Sequence, residues 1–178
     1  MSMDAISIGD SWGKVVAGGG TPWPDLLGIT NLCISGSTAQ EWAGNKENWL
    51  ADAQALKPET VIISLMGNDA RHALEDGKIT WAEKIAALTS MRAVVTAMMP
   101  ARIIVLLYAD PFAGTNAMTK VAVPKLNQAI EFSLVGLPTE YVRCYKFLGS
   151  EHFNVATDPL HPNQDGHQAI AKRIKGML

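Results

Sequence analysis

Short runs of apolar, β-branched residues alternate along the chain with longer stretches in which apolar positions recur every three or four residues. Two of the runs are continuous, at 61–63 and 103–107, which is typical of strands buried on both faces of a parallel sheet. This alternation predicts βαβ units, in which helices connect parallel strands. The predicted strands cover residues 5–8, 29–35, 60–66, 102–108 and 140–145.

The predicted helices are recognised by their first turns and their apolar stripes. Thr80 with Glu83 three residues later forms a capping box, and Ser37 with Gln40 predicts a second helix start. Two further helices are predicted, over about 124–134 and from about 163 onwards. The apolar stripe of the helix that begins at Thr80 consists of Trp81, Ile85, Leu88, Val95 and Met98.

Five parallel strands with right-handed crossovers form a doubly wound α/β sheet that has helices on both faces. In such sheets, ligands bind at the carboxyl ends of the strands, where the direction of winding reverses. We therefore expect the chemistry of this protein to lie in the loops that follow the strands.

Composition narrows the class of protein. A chain of 178 residues, 48% hydrophobic and 18% charged, fits a single globular domain over residues 1–178. The formal net charge is −2 and the Lys and Arg residues are scattered, so polynucleotides are excluded as partners. No stretch approaches the roughly 20 apolar residues of a membrane span, and the first ten residues do not resemble a signal peptide. We predict a cytoplasmic location, with a removed leader as the alternative.

A serine follows the first predicted strand, in the loop Gly9-Asp10-Ser11-Trp12-Gly13. A serine at a strand-to-helix turn presents its hydroxyl beside backbone N–H groups, as in the nucleophile elbow of α/β hydrolases. Ser11 is therefore the candidate nucleophile, and Asp10 is expected to accept hydrogen bonds within the loop. Taken alone, the Gly-Asp-Ser tripeptide is equally compatible with an ordinary turn.

A histidine with a suitable carboxylate lies towards the other end of the chain. Asp158 precedes His161 by three residues in a proline-flanked loop, so it can accept from Nδ1–H and leave Nε2 to take the serine proton. Because this loop follows the fifth strand, we expect it at the same sheet edge as Ser11. For the other histidines we expect a structural or surface role for His167 and solvated positions for His72 and His152.

Two more loops can donate hydrogen bonds to an oxyanion. Gly36, after the second strand, can present its backbone N–H, and Asn68, after the third, can present its side-chain amide. Asp69 beside it is expected to accept hydrogen bonds that hold the loop. In isolation, Gly36 also fits a tight turn before a helix, and Asn68-Asp69 also fits a helix cap.

These segments together resemble the SGNH hydrolases, also called the GDSL esterase and lipase family. Gly9-Asp10-Ser11 resembles the first block of that family, Gly36 the second, Asn68-Asp69 the third, and Asp158-Pro159-Leu160-His161-Pro162-Asn163 the last. The order and spacing of the blocks match over nearly the whole chain. The resemblance implies a three-layer α/β/α fold like flavodoxin, with a five-stranded parallel sheet in the order 2-1-3-4-5.

The resemblance also implies a function. It assigns catalytic roles to Ser11, Asp158 and His161, and oxyanion donors to the Ser11 backbone, the Gly36 backbone and the Asn68 side chain. It implies hydrolysis of esters or thioesters through an acyl-enzyme, without a metal or an organic cofactor.

Two positions depart from the family pattern. Trp12 replaces the usual leucine, which places a large ring at the pocket edge, and Met66 replaces the first glycine of Gly-x-Asn-Asp. We expect Gly67 to absorb the backbone strain, so that Asn68 is kept as a donor. Cys33 and Cys144 lie in apolar runs and, in the implied strand order, at opposite sheet edges, which predicts buried free thiols.

The substrate is predicted only by class. Trp12, Asp110 and Phe112 are candidate substrate-binding residues, the latter two from the loop after the fourth strand. A small chain of this family suits short-acyl substrates, such as acetyl esters of a carbohydrate, other glycan or small alcohol. A lysophospholipase or acyl-thioesterase with the same triad is an alternative, and a non-catalytic glycan-binding module is another.

Overall fold

A five-stranded parallel sheet forms the centre of the computed structural model, which describes residues 4–75, 80–109, 123–154 and 157–178, without the side chains of 72–75 and 81. The strand order β2-β1-β3-β4-β5 is the predicted one. The strands are β1 (Ala5–Gly9), β2 (Thr30–Asn31), β3 (Thr60–Ser64), β4 (Arg102–Leu107) and β5 (Thr139–Arg143).

The second strand is much shorter than the predicted range of 29–35. Only Thr30 and Asn31 pair regularly with β1. Beyond Asn31 the chain still follows β1, because the N–H groups of Leu32 and Ile34 donate to the carbonyls of Ser7 and Gly9, but it is no longer paired as a regular strand. The side-chain oxygen of Asn31 accepts the N–H of Cys33 at 3.1 Å at this point. Central strands are continuously buried, as their apolar runs indicate, whereas edge strand β5 is only partly buried.

Helices cover both faces of the sheet, as the three-layer α/β/α architecture requires. On one side α1 packs against α7, while α5 packs against α2, α3 and α6. The helices are α1 (Trp23–Leu27), α2 (Ala39–Ala43), α3 (Trp49–Ala55), α4 (Gly67–Glu75), α5 (Trp81–Met98), α6 (Val123–Ser133) and α7 (Gln164–Lys175). Within the described ranges, no helix has the length and apolar character needed to cross a bilayer.

Helix capping was predicted correctly for α5 and one residue too early for α2. Thr80 and Glu83 form the expected capping box. The box of α2 uses Thr38 and Glu41 instead of Ser37 and Gln40, because the Ser37 hydroxyl donates to the carbonyl of Gly9 at 2.9 Å.

The inward face of α5 differs from the predicted stripe. Ile85 is 47% exposed, so its assignment to the buried face was wrong. Val95 and Met98 are buried and Leu88 is partly buried, as predicted. Ala87, Met91 and Val94 complete the buried face, whereas Ile85 lies on the opposite side of the helix and the side chain of Trp81 lies outside the described part of the chain.

A small antiparallel hairpin stands apart from the main sheet. It consists of β6 (Phe153–Asn154) and β7 (Asp158–Pro162), and α7 follows directly. The carbonyl of Pro162 accepts the N–H of Ala17 at 3.0 Å, which ties the hairpin to the segment after β1. Cys33 and Cys144 are buried free thiols near opposite edges of the main sheet, as predicted.

Candidate active site

Ser11 lies directly after β1, at the first position of a short 3-10 turn. Gly9 makes this sharp exit possible, because its φ is +146° and a Cβ there would collide with the carbonyl oxygen of Ser64. Asp10 caps the turn, with Oδ1 accepting the N–H of Trp12 at 3.0 Å. The serine is therefore held at the carboxyl end of a buried central strand.

The structure brings Ser11, His161 and Asp158 together in one hydrogen-bonded chain. Nε2 of His161 lies 2.9 Å from Oγ of Ser11, and Nδ1 lies 2.8 Å from Oδ2 of Asp158. The other carboxylate oxygen accepts the N–H groups of Leu160 and His161, each at 3.1 Å, which fixes the orientation of the carboxylate. With Nδ1–H donating to Asp158, Nε2 carries the lone pair that accepts from the serine hydroxyl.

The proposed oxyanion donors lie in adjoining loops. Asn68, in the first turn of α4, donates through Nδ2 to the carbonyl of Ser37 at 3.0 Å, and its second amide N–H is available to a ligand. Gly36, with φ +82°, lies in the loop between β2 and α2. Among the described residues, no acceptor takes the backbone N–H of Ser11 or of Gly36.

Ser11 contributes to the lining of a small cleft. Asn68 and Ser11 share its lining, so the structure confirms that these two loops meet. Larger clefts of about 620 and 510 Å³ lie elsewhere on the described surface and contain none of the predicted site residues. The residues that line the small cleft are Asp10, Ser11, Trp12, Gly67, Asn68, Arg71, Tyr108 and Leu160.

Of the three predicted substrate-binding residues, only Trp12 can be located. Its ring is 2% exposed and packs edge to face against Tyr108, with ring centroids 4.9 Å apart. It therefore forms the wall of the cleft and presents little surface to a ligand. Asp110 and Phe112 lie outside the described residues.

The backbone strain of the third block falls on Met66. Its φ is +90°, whereas Gly67 does not have a positive φ, so the expectation that Gly67 absorbs the strain was wrong. A left-handed backbone conformation costs about 1–2 kcal/mol of conformational free energy for a residue other than glycine. The side chain of Met66 is nevertheless buried, and Asn68 still reaches the cleft that contains Ser11.

Both aspartates beside the predicted site hold loops, as expected. Asp69 accepts the N–H of Ala39 at 2.8 Å and thereby links α4 to the start of α2. Burial raises the pKa of Asp10 to about 7, although hydrogen bonds from the Tyr108 hydroxyl and the Trp12 N–H oppose this effect.

His167 and His152 are not among the residues that line the Ser11 cleft. His167 is fully buried, accepts the N–H of Trp23 at 3.1 Å and donates to the carbonyl of Val15 at 2.9 Å, so its structural role is confirmed. The side chain of His152 is 18% exposed and accepts the N–H of Gly149, which is less solvated than expected. The side chain of His72 lies outside the described part of the chain.

Sequence reasoning placed Tyr108 at the end of the fourth strand but did not select it as a site residue. This residue directly follows β4, is fully buried, and its hydroxyl lies between the first and third loops. The available signal was a tyrosine at the carboxyl end of an otherwise aliphatic strand, where a buried hydroxyl requires polar partners.

A serine, a histidine and a carboxylate at the carboxyl edge of a parallel 2-1-3-4-5 sheet define a hydrolase of the SGNH type. The model of the GDSL-like lipase/acylhydrolase family matches residues 7–169, and the chain belongs to this family. The protein is thus an SGNH-type carboxylic ester hydrolase. No curated protein sequence matches the chain significantly.

Solved structures share the fold at low sequence identity. The acetylxylan esterase of Geobacillus stearothermophilus is 17% identical with a TM-score of 0.72, and the match covers 96% of this chain and 91% of that one. An α/β hydrolase from the metagenome of Lake Arreo is 18% identical with a TM-score of 0.68, covering 97% and 93% of the two chains. These similarities extend across almost the entire domain.

Proposed function

We propose that the protein is a serine esterase that hydrolyses short-acyl esters, chiefly acetyl esters of a carbohydrate or a small alcohol. Ser11 is the nucleophile, His161 the general base and Asp158 the group that orients the imidazole. The observation that carries the proposal is the unbroken chain from Oγ of Ser11 to Nε2 of His161 at 2.9 Å and from Nδ1 to Asp158 at 2.8 Å.

In the acylation step, Oγ of Ser11 attacks the ester carbonyl carbon while its proton passes to Nε2 of His161. Asp158 stabilises the imidazolium that forms. The negative charge on the carbonyl oxygen is met by the backbone N–H groups of Ser11 and Gly36 and by the amide of Asn68. His161 then gives its proton to the departing alkoxide, so that an alcohol leaves and an acyl-serine remains.

In the deacylation step, water takes the place of the alcohol. Nε2 of His161 accepts a proton from the water as its oxygen attacks the acyl carbon, and the same donors bind the second oxyanion. The imidazolium returns the proton to Oγ of Ser11 as the acyl–serine bond breaks. A carboxylic acid is released and the free serine is restored.

The small size of the described cleft favours a short acyl group. The residues that line it include Trp12 and Leu160. The protein of Geobacillus stearothermophilus with the similar fold is an acetylxylan esterase, which supports an acetylated carbohydrate as the substrate class.

Labelling with a fluorophosphonate tests the nucleophile. We expect the probe to label the wild-type protein and to fail with Ser11→Ala, because only an activated serine attacks phosphorus at a useful rate. Ser150→Ala, which removes an exposed serine hydroxyl elsewhere, is the matched control and should be labelled normally. Absence of labelling in the wild type would instead favour a non-catalytic glycan-binding module.

A series of nitrophenyl esters from acetate to octanoate tests the acyl group. We expect kcat/KM to be highest for acetate and to fall as the chain lengthens, because the cleft that Ser11 lines is small. The highest efficiency on octanoate would refute the short-acyl proposal and favour a lysophospholipase.

A further inference from the structure

Tyr108 is held in one orientation by the main chain and by packing. The side chain of Asn127, on α6, accepts the N–H of Tyr108 at 2.9 Å and donates to its carbonyl at 2.9 Å. The ring is fully buried and contacts the ring of Trp12 edge to face. The position of the phenolic oxygen is therefore set independently of anything that binds in the cleft.

The phenolic hydroxyl connects two loops that come from distant parts of the chain. Its hydrogen is donated to Oδ2 of Asp10 at 2.5 Å, and its oxygen accepts the N–H of Gly67 at 3.2 Å. A phenol has a single hydrogen to donate, so the bond to Asp10 leaves the hydroxyl with no further hydrogen to donate. Burial and the adjacent Asp10 carboxyl raise the pKa of Tyr108 well above its usual value, which keeps that hydrogen in place.

Each of the two loops carries one proposed oxyanion donor. Asp10 shapes the turn of the nucleophile, because its other oxygen accepts the N–H of Trp12 and the residue between them is Ser11. Gly67 immediately precedes Asn68, whose amide supplies the donor from the third loop. The two contacts of Tyr108 are thus one residue away from Ser11 and one residue away from Asn68.

We infer that Tyr108 is a positioning residue, whose hydroxyl sets the spacing between the Ser11 N–H and the Asn68 amide so that both point at one oxyanion. This inference rests on the proposed function. Donors that are aligned in advance act mainly in the transition state, where charge develops on the carbonyl oxygen. The loss of the Tyr108 hydroxyl is therefore expected to lower kcat rather than to weaken substrate binding.

The test compares Tyr108→Phe with the wild type on nitrophenyl acetate, with active sites counted by fluorophosphonate titration. Counting active sites removes any contribution from misfolded protein. We expect kcat per active site to fall by about tenfold, with KM changed by less than about twofold. Tyr141→Phe is the matched control: it removes a phenol that accepts from the Thr139 hydroxyl on β5, and it should leave kcat unchanged.

A double-mutant cycle separates positioning from general support of the fold. If Tyr108 acts through Asn68, adding Tyr108→Phe to Asn68→Ala should cost almost nothing beyond the roughly hundredfold loss of Asn68→Ala alone. Independent effects would multiply to about a thousandfold, and that result would overturn the inference. An unchanged kcat in Tyr108→Phe would overturn it as well. A wild type that the probe does not label would overturn the proposed function and this inference together.

Discussion

Met66 has a backbone conformation that its residue type disfavours, at a position where the family has glycine. Its φ is +90° and the residue is only 4% exposed. The steric strain of its backbone destabilises the folded state, whereas the burial of its apolar side chain stabilises it. Strain of this kind persists only where the surroundings determine the conformation. Here, the surroundings are the buried end of β3 and the first turn of α4, which carries Asn68.

The strain at Met66 can be measured by comparing two truncations. Met66→Gly and Met66→Ala both remove the buried side chain, but only glycine accepts a φ of +90° without penalty. We expect the glycine variant to be more stable than the alanine variant by about 1 kcal/mol, which reverses the usual order of the two residues. Urea unfolding of both variants measures the difference. A more stable alanine variant would show that the backbone at this position relaxes.

Tyr108 shows why some residues of the site could not be found from the sequence. Its hydrogen-bond partners are 98 residues away at Asp10 and 41 residues away at Gly67, so the local sequence shows that a buried hydroxyl needs polar partners but not which groups supply them. Ser11 and His161, in contrast, lie in loops whose own sequence has a recognisable chemical pattern. Motifs therefore predict the reacting groups better than they predict the groups that support them.

Among the elements, α7 depends on a buried histidine for its attachment. His167 lies in the first turns of α7, accepts the N–H of Trp23 in α1 and donates to the carbonyl of Val15. Both bonds require a neutral ring, with its hydrogen on Nε2. Burial lowers the pKa of His167 to about 4, and the neighbouring His161 acts in the same direction.

This histidine predicts a loss of stability in mild acid. In the unfolded chain His167 titrates near its ordinary pKa of about 6.5, so from that pH down to about 4 the unfolded state binds a proton that the folded state does not. The free energy of unfolding is therefore unaffected by His167 above pH 6.5 and falls as the pH drops below it, and the loss amounts to about 3 kcal/mol at pH 4.

Urea unfolding at pH 7, 5 and 4 provides the measurement, with His167→Gln as the comparison. The variant should be less stable at pH 7, because it loses the hydrogen bonds of the ring, yet it should lose less stability on acidification than the wild type does. An equal loss of unfolding free energy between pH 7 and pH 4 in the two proteins would contradict this account. The comparison cancels the carboxylates that titrate in the same range in both proteins.

The elements that the sequence predicted best are those whose signals are local. Buried strands β3 and β4 have continuous apolar runs, and α5 has a complete capping box. The predicted range of β2 was too long, since regular pairing at this sheet edge is limited to Thr30 and Asn31, although Leu32 and Ile34 still donate hydrogen bonds to β1. The error at Ile85 shows that the large apolar residues alone do not determine which face of α5 is buried, because small residues such as Ala87 also lie on that face.

At the scale of the whole molecule, topology accounts for the assembly of the site. Parallel strands all end at one edge of the sheet, so the loops after β1, β2 and β3 meet there whatever their separation along the chain. Because of this rule, the meeting of Ser11 with Asn68 could be predicted without any knowledge of contacts. The placement of His161 was also predicted from topology, because its loop follows the fifth strand, but the hairpin that carries it, outside the main sheet, was not predicted.

The proposed nucleophile and its proposed base lie on structures of different stability. Ser11 extends from a central strand with neighbours on both sides, whereas His161 lies on a two-stranded hairpin, and two strands alone have marginal stability in water. A local opening of that hairpin would separate the two groups while the sheet remained intact. We therefore expect heat or denaturant to abolish the esterase activity of this protein before it unfolds the main sheet.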